Sequence, residues 1–276
     1  MHRRLIHLSI IFTFIALASF FAYTAYSYSK KYEEVTLLIV KENTVNNLAS
    51  IKLKKVGDML SFGLYDGYKE MMNKRQELLK IKEYYHKKSI HYTLLFVLVL
   101  TTSLLLYFII DLALFNIAIS LMALISLTVG VLAPIMMMSI HKNVELLGDI
   151  TLTVQSKSLG GTLSTLFESG EFVVALFLFI FSILLPLLKN FSLIFVSIFI
   201  QSKFAHSVVH FFKLLGKWSM ADVFVVATLL VFLSNSGDGS SQAEIEVGLY
   251  FFMAYVIISM IATLSTDRLL HITKGT

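Results

Sequence analysis

Apolar positions come in long unbroken runs, and the polar residues gather between them. A run of about 20 residues crosses the ~30 Å hydrocarbon core of a bilayer as a helix, and this chain offers about six. The first, LSIIFTFIALASFFAYTAY, follows the basic start MHRRLIH and ends in tyrosines, as an interfacial aromatic belt would. A basic start ahead of an apolar core also describes a signal peptide, with Ser27 and Ser29 near the cleavage point. The length of the run and its aromatic end favour an uncleaved anchor over residues 1–29. From Tyr92 to Ile140 the chain is almost continuously apolar, too long for one crossing. Spans are therefore placed at about 92–110 and 113–138, with a tight turn at Asp111 and with Pro134 and the run Met136 to Met138 at the far end. A fourth span starts at Glu171 and Phe172 and passes Ser182, Pro186 and Lys189 towards Gln201. A fifth runs from about Trp218 to Leu233, and a sixth from about Val247 to Ser265.

Three polar stretches interrupt this pattern. Residues 30–91 are dense in Lys and Glu, yet Val35, Leu38, Ile39, Leu48 and Ile51, and later Met71, Met72, Leu78, Leu79 and Ile81, recur at helical spacing. With SFGLYDG as the turn, they predict a helical hairpin that leaves the membrane and returns, each arm about 35–45 Å long at ~1.5 Å per residue. His141 to Gly170 is too polar to cross and too apolar to ignore, which predicts an interfacial helix or a re-entrant segment. Lys203 to Lys217 mixes His206, His210 and Lys213 with Phe204, Val208, Phe211, Phe212 and Leu215, a basic amphipathic helix on the membrane surface. His206 and His210 are four apart, as two metal ligands on one face would be, but no third ligand accompanies them.

Composition agrees with the pattern. The chain is 57% hydrophobic and 15% charged over 276 residues, which places it with all-α polytopic membrane proteins and not with ordinary soluble domains. Its net charge of +5 sits beside the apolar runs, where it reads as a topology signal and not as a nucleic-acid footprint. Cysteine is absent, so disulfides, CxxC redox chemistry and Cys-ligated metals are excluded. Arg3 and Arg4, the basic segment 189–217 and the tail with Arg268 and Lys274 fall on one side of six spans, and the acidic loop with Asp238, Glu244 and Glu246 on the other. Both termini are expected in the cytoplasm and the hairpin outside.

Candidate chemistry lies within the spans. Ser182 and Lys189 are two helical turns apart with Pro186 between them, and Ser219 and Asp222 share a face of the next span. Topology brings Lys189 and Asp222 to one depth near the cytoplasmic surface, with Ser259 and Thr263 of the last span at the same level. An unpaired charge costs about 2.5–3.5 kcal/mol near mid-membrane and less towards the interface, so pairing within a polar cluster is favoured. Two readings follow. Lys189 snorkels and Asp222 caps a helix N-terminus, or the cluster is a protonatable switch.

The segments SILLPLLK and GKWSMADVFVVATLLV, with LAPIM and GTLSTLFESGEFVVA upstream, resemble the paraquat-inducible protein A family of bacterial inner-membrane proteins. The resemblance covers about 113–270, one four-helix membrane unit, and gives Pro186, Gly216, Lys217, Trp218 and Met220 as its structural motif. It implies a lipid transport system of the envelope, in which the unit loads or extracts lipid for an MCE-domain periplasmic partner. It also implies that Ser182, Lys189, Ser219 and Asp222 form the central polar network; topology adds Thr263 as a companion, and proton coupling is consistent with that network. Family members typically carry two such units and cysteine-rich zinc ribbons. This chain has one unit and no cysteine, so zinc is not expected, and a second unit would come from another chain in a homo- or hetero-oligomer. The resulting division is an anchor over 1–29, a periplasmic hairpin over 30–91, a second span over 92–111 and the four-helix unit over 112–276. A membrane scaffold or sensor that anchors a partner through the hairpin is the alternative. No nucleophile–base pair, metal triad or phosphate loop points to an enzyme or a cofactor.

Overall fold

The computed structural model describes residues 2–42, 67–144, 148–199 and 241–274. Helix α1 (His2–Glu42) runs unbroken from the basic start through the apolar run and into the polar segment. Helix α2 (Gly67–Leu104) returns alongside it, and a 3-10 turn (Leu105–Phe108) leads to α3 (Leu112–Leu132). Two antiparallel strands follow, β1 (Pro134–Val144) and β2 (Gly148–Ser158), then α4 (Leu159–Glu168). Helix α5 (Phe172–Phe179) continues through a π-helical turn (Ile180–Leu184) into α6 (Leu185–Ile198). Strand β3 (Ser241–Ile245) precedes the last helix, α7 (Val247–Lys274). Five of these helical stretches are long and apolar enough to cross a membrane: 4–41, 73–108, 112–132, 172–198 and 247–272. The sixth expected span, at 218–233, lies outside the described residues.

The helical hairpin is borne out in its described part and modified in form. Its arms are not separate helices but extensions of the spans, so α1, about 60 Å long at ~1.5 Å per residue, is twice the thickness of the bilayer core. One face of α1 carries small residues, Ala18, Ala22, Ala25 and Ser29, all buried. These four let α2 approach closely. Phe96, Ser89, Thr93, Val99 and Leu100 of α2 are buried opposite. Beyond the small residues the seam becomes aromatic, with Tyr28 stacked on Tyr92 at 5.7 Å and Tyr32 against His86 at 4.9 Å. Lys31 lies over both Tyr28 and Tyr85, holding its charge on ring faces where the helices leave the apolar zone.

The expected span at 113–138 and the interfacial helix at 141–170 are both corrected. Proline at 134 disfavours helical backbone in the residue before it, and α3 stops at Leu132 with Ala133 extended (φ −74°, ψ 152°). The methionine run is therefore strand, not span. It lies in the centre of a three-stranded antiparallel sheet ordered β2-β1-β3, with Met137 opposite Ser156 and Glu244. Met136 and Met137 are buried. The stretch TLTVQ alternates polar and apolar residues with the period of a strand, and helical amphipathicity begins only at Leu159, where the Ser158 hydroxyl accepts from the Gly161 N–H and caps α4. Gly170, at φ 79°, makes the turn from α4 into α5, a backbone conformation that a residue with a Cβ rarely adopts.

The core joins α3 to α7 most closely. A Cβ on Gly130 would stand 2.9 Å from the Phe252 nitrogen, and one on Gly248 2.5 Å from the Ala133 carbonyl oxygen, so both glycines mark points where backbones touch. The Ser126 hydroxyl donates to the Phe251 carbonyl at 2.7 Å across the same contact. Helix α6 packs on α3 and on α7, and α1 with α2 closes the other side. The sheet and the polar ends of α1 and α2 lie together at one end of the bundle, and the 3-10 turn and Arg268 meet at the other.

A polar interior and a buried carboxylate as candidate functional site

Proline at 186 explains the local geometry of the SILLPLLK segment. Its ring excludes the carbonyl four residues back, that of Ser182, from normal helical bonding. The helix widens there into the π turn of Ile180–Leu184, a distortion often found at functional sites. Ser182 and Pro186 are both buried on the face that packs inward. The widened turn takes up an extra residue, so two turns from Ser182 the chain arrives at Asn190 and not at Lys189. Asn190 is fully buried, and Lys189 stands beside it, half-buried. The expected Ser182–Lys189 face is thus a Ser182–Pro186–Asn190 stripe with Lys189 on its flank.

Helix α3 faces this region with two further polar residues. Asn116 and Ser120, one turn apart, are fully buried in this predominantly apolar helix. Neither the amide atoms of Asn116 and Asn190 nor the hydroxyl of Ser120 has a hydrogen-bond partner among the described residues. From α7, the Ser259 hydroxyl is also buried without a partner among them. The Gly130–Phe252 and Ser126–Phe251 contacts fix the antiparallel register of α3 and α7, which puts Ser259 at the depth of Ser120 and Thr263 at that of Asn116. Thr263 is half-buried and donates its hydroxyl to the Ser259 carbonyl at 2.7 Å. Polar atoms left unmatched inside apolar helices each cost about 1–3 kcal/mol, so this interior is a poor choice for stability alone. Ser219 and Asp222, with Gly216, Lys217, Trp218 and Met220, lie outside the described residues.

A second polar cluster, absent from the sequence-based expectations, sits where the hairpin meets the sheet. Glu246, between β3 and α7, is fully buried. Its backbone N–H donates to the Ile135 carbonyl at 2.9 Å, which ties the start of α7 to β1. Neither carboxylate oxygen has a hydrogen-bond partner among the described residues. Burial pushes its carboxyl up to about 8; Glu244 and Glu33 act in the same direction, and Lys82 opposes them. Around it stand Tyr32, whose hydroxyl donates to Glu244 at 3.3 Å, and Lys82, 5.5 Å from the Tyr32 ring. The cluster draws on α1, α2, β3 and α7, so no single stretch of sequence announces it. The only signal was the acidic pair Glu244 and Glu246 in a loop read for topology.

A family model described as paraquat-inducible protein A matches residues 115–271. A protein of Haemophilus influenzae named "Probable intermembrane transport protein" is 30% identical over 106 residues, which is 36% of this chain and 25% of that protein. The chain thus spans about a quarter of the length of that relative. No solved structure matches.

Proposed function

The chain belongs to the paraquat-inducible protein A family, and from that premise we propose that it is the inner-membrane subunit of a lipid transport system of the bacterial envelope. The observation that carries the proposal is the set of buried polar atoms without partners among the described residues, on α3, α6 and α7, inside predominantly apolar spans. In a bilayer such groups are retained for a task, most often a path for a polar or protonated species. Lys189 on the flank of this interior and Asp222 of the neighbouring segment are the ionisable members, and protonation of the pair switches the bundle between two arrangements. Lipid passes to or from an MCE-domain periplasmic partner, with both termini in the cytoplasm and the hairpin and sheet on the periplasmic side.

The competing reading is a scaffold that only positions a partner. It is favoured by the length of α1 and α2 beyond the bilayer. Mutation separates the two. Asp222→Asn and Lys189→Ala should each abolish envelope lipid transfer and detergent resistance while leaving protein levels normal. If both variants behave as wild type and deletion of residues 35–85 alone abolishes function, the scaffold reading holds. For proton coupling, transfer in vesicles should respond to an imposed pH gradient, and an indifferent wild type rejects it.

A further inference from the structure

At the end of the bundle opposite the sheet, an apolar cleft of about 400 Å³ opens between the end of α2, the start of α3 and the last turns of α7. Leu104, Phe108 and Phe115 form one wall, Ile261 and Leu264 the other. Phe108 and Leu264 are largely exposed, so in a membrane the cleft opens to lipid and not to the protein core. Its polar content is confined to one end. There the Arg268 guanidinium donates through Nη1 to the Tyr107 hydroxyl and lies 5.8 Å from the Tyr107 ring centre. This double contact fixes the orientation of the guanidinium and uses one of its five donors. Ser265 also lines the cleft, and its hydroxyl is buried with no hydrogen-bond partner among the described residues.

We propose that this cleft is a binding site for one acyl chain of an anionic phospholipid, whose phosphate is held by Arg268 and whose backbone esters reach Ser265. Three observations converge on an amphiphile. The walls are apolar and open to the bilayer, which selects a hydrocarbon chain. A planar, anchored guanidinium at one end matches the two-oxygen geometry of a phosphate, as a lysine would not. An orphaned hydroxyl one turn from the guanidinium needs an acceptor at the boundary between chain and headgroup. Asp267, the adjacent acid, lies 3.9 Å from His271 of its own helix. The site is separate from the polar interior and holds whether or not that interior moves lipid.

The test is lipid retention by the full chain. The protein is purified in mild detergent with equal amounts of dioleoyl-phosphatidylglycerol and dioleoyl-phosphatidylcholine, and its bound lipid is read by native mass spectrometry. Both lipids carry the phosphate, but the choline ammonium cancels its charge and repels Arg268, so wild type should retain phosphatidylglycerol in about tenfold preference. Arg268→Ala should remove the preference. Arg268→Lys keeps the charge without the fork and should lower retention about threefold. Leu264→Trp, at an exposed wall position, should displace the lipid without touching Arg268, and it remains informative if Arg268→Ala fails to fold. Equal retention by wild type and Arg268→Ala, or an unchanged preference in Leu264→Trp, overturns the proposal. Competition by millimolar inorganic phosphate with no effect of Leu264→Trp would identify a free-anion site instead. A dimer that Leu264→Trp converts to monomer, with no change in lipid, would identify a protein interface.

Discussion

Glu246 shows how far one residue can be from its ordinary chemistry. A glutamate titrates near ~4.3 in an unfolded chain, and burial holds this one at about 8. The native state therefore binds its proton more tightly than the unfolded state does. Stability is highest below the unfolded value, falls as pH rises through the interval up to about 8, and is flat above it. At ~1.4 kcal/mol per unit, the loss is on the order of 5 kcal/mol. Thermal unfolding of the solubilised protein should accordingly give a lower midpoint at pH 8 than at pH 5.5, and Glu246→Gln should flatten that dependence. A slope that survives the substitution would assign the effect to other groups. Asn116 and Asn190 call for the opposite experiment. Leucine at either position removes orphaned polar atoms, so stability should rise by about 1–3 kcal/mol, while lipid transfer should fall. A variant that gains stability and keeps full transfer would return these residues to a merely structural role.

At the scale of elements, the crossing helices were legible because long apolar runs leave the backbone one way to satisfy its own hydrogen bonds in lipid. The hairpin was legible from its helical spacing, although not as an extension of the spans, because a change from apolar to charged residues does not interrupt a helix. The sheet was missed. Methionines following an apolar run read as more helix, and only the effect of Pro134 on the residue before it, together with the two-residue alternation after Thr151, pointed to strand. The candidate site was half legible: Ser182, Pro186 and Lys189 stood out as exceptions in an apolar run, but Asn190 replaced Lys189 on the buried face because one residue too many is wound into the π turn. Asn116 and Ser120 were visible and unweighed. The α3–α7 contact supplies the element-scale prediction. Gly130→Ala and Gly248→Ala each force a methyl group into backbone, and each should lower stability by about 1–3 kcal/mol, whereas Gly160→Ala, whose nearest neighbour is the Val131 carbonyl oxygen at 3.5 Å, should be tolerated. Thermal unfolding of the three variants, compared side by side, decides it.

For the whole molecule, the arrangement places the sheet, the buried carboxylate and the far ends of α1 and α2 on one side, and the acyl cleft with Arg268 on the other. The absence of native cysteine makes orientation directly measurable, since any introduced thiol is the sole target of a maleimide. Glu34→Cys and His271→Cys replace exposed residues at opposite ends. An impermeant maleimide applied to spheroplasts should label the first, and the second only after lysis. The reverse pattern would invert the proposed topology.

The unbroken run of α1 from His2 to Glu42 has a mechanical consequence. A helix fixed in the bilayer over half its length and stiff over the rest is a lever, and its fulcrum is the point where Tyr32 meets Glu244. A sideways force on the outer arm becomes a torque at that point. Strand β3 carries it directly into the first turn of α7, and so into the helix that bears both Ser259 and Arg268.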